Sequence, residues 1–98
     1  MSKFLNLWEI DNSKMPTDPS ERAALIGKQI EMTKKMLAEG QVIDWGIFAG
    51  GGAGYAIAEG TEADTLARTL QFAPYIRFKV QSVLSIDEVA EVMKSLKR

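Results

Sequence analysis

Residues 42–60 read VIDWGIFAGGGAGYAIAEG, and the fold turns on how they are read. Ile43, Trp45 and Ile47 alternate with Asp44, Gly46 and Phe48. Beyond the glycines, Tyr55, Ile57 and Glu59 alternate with Ala56 and Ala58. A period of two on both sides of a glycine cluster predicts two antiparallel strands joined as a hairpin. The cluster invites comparison with a phosphate-binding loop, but its spacing is wrong. A G-x-G-x-x-G series from Gly50 needs glycine where Tyr55 stands, and one from Gly52 needs it where Ile57 stands. A strand rather than a helix N-terminus follows. The glycines therefore suit turn positions of positive φ. They exceed what one tight turn requires, which also lets backbone approach a ligand or a partner subunit closely.

The rest of the chain falls into place around the hairpin. Upstream, residues 3–10 alternate as a first strand. The sets Phe4, Asn6, Trp8, Ile10 and Lys3, Leu5, Leu7, Glu9 both contain large apolar side chains, so both faces are at least partly covered. Residues 11–18, DNSKMPTD, are a loop. Asp18 then reads as a helix N-cap, Pro19 as the first helical residue and Glu21 as the capping-box partner. This helix runs to about Glu39, with Ala23, Ile26, Ile30, Thr33 and Leu37 on one stripe and Met36 beside it. Gly40 stops it. Met15, Met32 and Met36 read as loop or gap-filling residues.

Downstream, Thr61 with Asp64 opens a second helix striped by Ala63, Leu66, Ala67 and Leu70, and Pro74 ends any continuation. In residues 76–84, Ile76, Phe78 and Val80 alternate with Arg77, Lys79 and Gln81, a fourth strand with one apolar face. Ser85 with Glu88 caps a last helix, striped by Ile86, Val89, Ala90, Met93 and Leu96. Lys94, Lys97 and Arg98 suit its C-terminal end.

The element order is β-α-β-β-α-β plus a C-terminal helix, in one domain over residues 1–98. That is the ferredoxin-like α+β arrangement: a four-stranded antiparallel sheet with helices on one face. The other face needs cover, and a two-fold homodimer with sheets face to face supplies it most simply.

Composition excludes several chemistries. Twelve basic and thirteen acidic residues give a net charge of −1, without the basic excess that nucleic acid or an anionic membrane surface needs. Cysteine and histidine are both absent, which removes disulfides, a thiol nucleophile, Cys/His zinc sites and a Ser-His-Asp triad. No acidic cluster has calcium-loop spacing, and neither a metal nor a cofactor is expected. The N-terminus, MSKFLNLWEID, lacks the pattern of a signal peptide, and no apolar run is long enough to span a bilayer. The expected location is the cytoplasm.

The element order, the segment GGGAGYAIAEG and the run FAPYIRFKVQSVLSIDEV together resemble small bacterial members of the dimeric α/β-barrel superfamily. Muconolactone isomerase is the nearest enzyme by general layout. The resemblance spans nearly the whole chain and implies a dimer with a pocket. It implies no single reaction, because the superfamily holds isomerases, cofactor-free monooxygenases, haem-handling enzymes and simple ligand binders. Haem-handling members commonly place histidine at the iron, and several oxygenases and isomerases use a pocket histidine; this chain has none.

Two groups of side chains are candidates for a site. Asn6 and Trp8 share a face of the first strand, and Trp45 on the second strand can lie nearby. A polar amide between aromatics suits a flat organic ligand, while its plainer reading is packing at the dimer interface. Glu59 ends the third strand, and Arg77 lies on the fourth. If both reach one cleft, Glu59 is a general base tuned by burial and a cation; otherwise each is a surface charge. Tyr55 is a hydrogen-bond donor to an anionic ligand or an amphipathic interface residue. The expectation is a small-molecule-binding or assembly domain. The alternative is a cofactor-free, isomerase-like enzyme acting on a small cyclic or aromatic metabolite, with Glu59 as base and Asn6 or Tyr55 polarising a carbonyl.

Overall fold

A computed structural model describes residues 2–96 of the chain, so Lys97 and Arg98, expected at the end of the last helix, lie outside the described residues. The elements are β1 (Ser2–Ile10), α1 (Pro19–Ala38), β2 (Val42–Ile47), β3 (Ala53–Gly60), α2 (Glu62–Leu70), β4 (Ile76–Val83) and α3 (Ile86–Leu96). The strands form one antiparallel sheet in the order β2-β3-β1-β4. The architecture is α+β and compatible with a ferredoxin-like fold.

Each helix begins where a side chain satisfies its free N–H groups. Asp18 accepts from the Glu21 N–H at 3.0 Å, although Glu21 makes no return bond. Thr61 and Asp64 complete a reciprocal capping box, with distances of 3.1 and 3.0 Å. Ser85 and Glu88 do the same at the start of α3, at 3.1 and 2.9 Å. At the end of α1, the N–H groups of Gly40 and Gln41 donate to the carbonyls of Leu37 and Met36, closing the last turn.

The hairpin forms as its alternation predicts. Its connection is residues 48–52, in which Gly51 and Gly52 both take φ of 78°. That left-handed backbone favours glycine over residues with a Cβ. The Gly51 N–H donates to the Phe48 carbonyl at 2.8 Å, and the Ile10 N–H donates to the Gly52 carbonyl at 2.8 Å, tying the turn to the end of β1.

One face of the sheet carries the core. Phe4, Asn6 and Trp8 of β1 and Gly54, Ala56 and Ala58 of β3 are buried there, while the intervening residues are half-buried or exposed. Met36 of α1, Val42, Ala56, Ala58 and Phe72 form the central cluster, with Met32, Ile76 and Phe78 packed against it. The rings of Phe72 and Phe78 meet tilted, with centroids 6.0 Å apart. The aromatic side of β1 is therefore the helix side. Leu5, Leu7 and Ile57 lie on the face that the helices leave open.

Three elements present a face other than the expected one. In β2 the register shifts between Val42 and Asp44, so Ile43 is a bulge residue and both Val42 and Trp45 point to the core side. In α1 the inward track is Leu25 and Ile26, then Gln29, Met32 and Thr33, then Met36, whereas Ala23, Ile30 and Leu37 are exposed. In α2 the inward residues are Thr65, Arg68 and Thr69. Leu66 and Leu70, about 100° and about 140° round the helix from Thr65, are 59% and 61% exposed. Small Thr65, bonded back to the Thr61 carbonyl at 3.1 Å, lets α2 lie close to the sheet. Every residue of α3 is exposed. Among the described residues, no helix is long and apolar enough to cross a membrane.

Candidate functional site

Trp8 faces Gly54 across the β1–β3 ladder. A Cβ at Gly54 would lie 2.5 Å from the Trp8 ring and 2.1 Å from the Gly46 carbonyl oxygen. Without one, the indole of β1 lies over β3 and meets Trp45 of β2, two strands away. The ring centroids are 5.3 Å apart and the planes 11° from parallel. Trp8 Nε1 donates to the Tyr55 carbonyl at 3.3 Å, which fixes the ring along its length. Here the glycine-rich hairpin admits a side chain of its own chain.

This stack forms part of the wall of a cavity of about 400 Å³ between the sheet and helices α1 and α2. The floor is Asn6, Ala56 and Ala58; α1 contributes Gln29, Thr33 and Met36, and α2 contributes Arg68 and Thr69. Ile30 and Leu37 of α1 and Ile47 of β2 also line it and are 48%, 39% and 54% exposed, so the mouth opens between α1 and the edge strand. Trp45, 37% exposed, stands at that opening.

The polar groups of the wall are few. The Asn6 amide is 5% exposed and donates to the Phe4 and Ala56 carbonyls at 3.3 and 3.4 Å, which leaves its oxygen to accept. Gln29 is 8% exposed, and its Nε2 is buried without a hydrogen-bond partner among the described residues. Arg68 donates to the Glu59 carbonyl at 3.2 Å and to Thr65 Oγ1 at 3.3 Å. Lys34 stands on the exposed flank of α1. No carboxylate lines the cavity among the described residues. Nor do three or more His, Cys, Asp or Glu residues gather anywhere among them to hold a metal ion.

The candidate residues thus divide between the two faces of the sheet. Asn6, Trp8 and Trp45 come together in the cavity. Tyr55, Glu59 and Arg77 lie on the opposite face. Glu59 is paired in register with Lys3, and Arg77 with Glu9. Those positions on β1 are about 20 Å apart along the strand, so Glu59 and Arg77 share no cleft. Arg77 instead makes an exposed ion pair with Glu9. The Tyr55 ring covers Gly46, and its hydroxyl donates to Asp44 Oδ2 at 2.9 Å. That hydrogen bond, then desolvation, then the carboxylate charge raise the tyrosine above its ordinary pKa of 10.0. Sequence reasoning missed Gln29 and Arg68. Gln29 falls between Ile26 and Thr33 at helical spacing, a signal that was present, whereas Arg68 had none.

Residues 2–97 match a family described as "Domain of unknown function (DUF3303)". No curated protein matches the chain.

Proposed function

The chain belongs to the DUF3303 family, whose description assigns no activity, and from that premise we propose a small-molecule-binding domain that works as a homodimer. The observation that carries this reading is the Trp8–Trp45 stack standing in the wall of a cavity that is also lined by the amide residues Asn6 and Gln29. A volume of about 400 Å³ lies within the range of small-ligand pockets, and an apolar wall with a few fixed polar groups is their usual make-up. The ligand is a flat organic molecule that enters between α1 and β2 and rests against Trp45. The wall's lining, without a carboxylate among the described residues, supports binding over carboxylate-driven proton transfer.

The test is direct. In ¹⁵N-labelled protein, a saturating flat aromatic compound is expected to shift the indole N–H resonances of both tryptophans. Trp45→Ala is expected to abolish binding while leaving the sheet folded. A fragment screen in which no compound moves either resonance sinks the reading.

Assembly follows the dimeric α/β-barrel layout: the open sheet faces pack together, and the cavity mouths stay free. Leu7 and Val83 on that face are each 39% exposed in the single chain, and Leu5 and Ile57 lie half-buried between charged neighbours. The outward stripe of α2 and the wholly exposed α3 add apolar surface that a lone protomer leaves in water. Light scattering at micromolar concentration is expected to give twice the protomer mass; a monomer there removes the dimer from the proposal.

A further inference from the structure

We infer that the ligand is an organic anion: a one- or two-ring aromatic or conjugated carboxylate, with its ring against Trp45 and its carboxylate held by the cationic and amide N–H groups of the wall. The inference rests on the binding reading above and names its ligand class.

Three observations converge on it. The first is Gln29. A buried N–H without an acceptor is costly, and native interiors seldom leave one. Gln29 lines a cavity whose other surfaces are almost all hydrocarbon, while its Nε2 is closed off without an acceptor among the described residues; a turn of the amide that brings Nε2 to the cavity lets a ligand supply one. The second is charge. Two cations, Arg68 and Lys34, line the cavity, and among the described residues no carboxylate does. An acidic ligand is complementary to such a wall, and a cationic one is opposed by it. The third is the state of those cations. Arg68 is bonded only to a carbonyl and a hydroxyl, both uncharged acceptors, and it makes no ion pair among the described residues. Asp64, the carboxylate whose pKa it helps to lower, is committed to the capping box with Thr61. Lys34 has only a loose partner, Glu31 at 3.6 Å, with side chains 69% and 74% exposed. An exposed pair of that kind contributes little and is easily exchanged for a ligand carboxylate.

The roles differ. Gln29 supplies a neutral hydrogen bond that selects for an acceptor of any charge. Arg68 supplies a planar cation suited to the two oxygens of a carboxylate. Lys34, at the rim, raises the local concentration of anions and so acts on the rate of entry.

The experiment pairs acids with their neutral amides. Benzoate, cinnamate and 2-naphthoate, each beside the corresponding carboxamide, are titrated into the full-length protein at low salt. Calorimetry and the indole N–H shifts report binding. At least one acid is expected to bind about tenfold or more tightly than its amide, the difference a charge-assisted hydrogen bond makes. Raising the salt is expected to narrow that gap. Arg68→Gln is expected to weaken the acid more than the amide and so narrow the gap between them; if that variant does not fold, Lys34→Gln, at an exposed site, is expected to reduce the acid's on-rate more than the amide's. Gln29→Leu is expected to weaken acid and amide alike while raising the melting temperature of the free protein, since it removes the unpaired N–H. Equal affinity of every acid and its amide overturns the anion inference but leaves the pocket reading standing. A complete absence of indole shifts overturns both.

Discussion

Gly54 shows how much one missing methyl group decides in this chain. Its absent side chain is the space that the Trp8 ring fills, and the Gly46 carbonyl closes the other side. Gly54→Ala is expected to destabilise the fold by about 3 kcal/mol, because a rigid ring and a backbone oxygen must both move. Gly46→Ala meets the Tyr55 ring at 2.5 Å, a half-buried side chain that can shift at the expense of its bond to Asp44, and is expected to cost about 1 kcal/mol. Denaturant melts of the two variants check the order. In the sequence Gly54 looks like one more turn glycine, because the neighbour that explains it comes from a distant strand. Gln29 was more legible: its spacing puts it on the inward track of α1, but a polar residue there reads as an interruption of an apolar stripe. Asn6 and Trp8 could be grouped from strand alternation alone, whereas the meeting of Trp45 with Trp8 across β3 depends on the sheet order and the bulge in β2. Tyr55, Glu59 and Arg77 needed the register to show that they occupy the other face.

Among the elements, starts and stops were easier to read than faces. A cap depends on a few consecutive residues, and Asp18, Thr61 and Ser85 each begin a helix as their neighbours suggest. A helix face depends on what the helix packs against, which is not local. The apolar stripe of α2 is present as expected but points outward, and the bulge at Ile43 changes which residues of β2 reach the core. The β2–β3 pair also carries a pH-dependent contact. Tyr55 holds its proton more tightly when folded, because its hydroxyl donates to Asp44. The stabilisation from this pair is complete below pH 10.0, the unfolded value, and falls as pH rises through the raised folded value, because the unfolded chain then binds fewer protons. In a Tyr75→Phe background, Asp44→Ala is expected to lower the midpoint of the tyrosine ultraviolet titration. It is also expected to remove the stability advantage of the parent below pH 10.0, and to be no less stable than the parent well above it, where the phenolate and the Asp44 carboxylate repel.

At the scale of the molecule, the α+β class, the element order and the antiparallel sheet were all legible, because each strand and helix carries its own periodicity. A pocket was expected from the family resemblance, but its full lining was not legible, since the cavity is the space between the sheet and two helices whose inward faces are set by packing. The described chain measures 63 × 25 × 24 Å, and α3 adds no buried residue to it. An isolated helix of 11 residues is marginal in water, so α3 needs a surface to remain ordered. Removing residues 86–98 is expected to leave the βαββαβ body folded and to weaken self-association by at least about tenfold. Sedimentation across a concentration series measures this, and an unchanged dissociation constant would show that α3 has no part in the dimer.

The tryptophan stack has a consequence for light as well as for ligands. Two indoles 5.3 Å apart and 11° from parallel have coupled transition dipoles, so their excited states are shared. The folded protein should show a paired, oppositely signed circular-dichroism band that neither tryptophan gives alone. Trp8→Phe or Trp45→Phe should erase it entirely rather than halve it. Because the coupling requires β1, β3 and β2 in register, the band also reports sheet assembly. A ligand that slides against Trp45 and tilts its ring would then be seen as a change of band shape, without any added label.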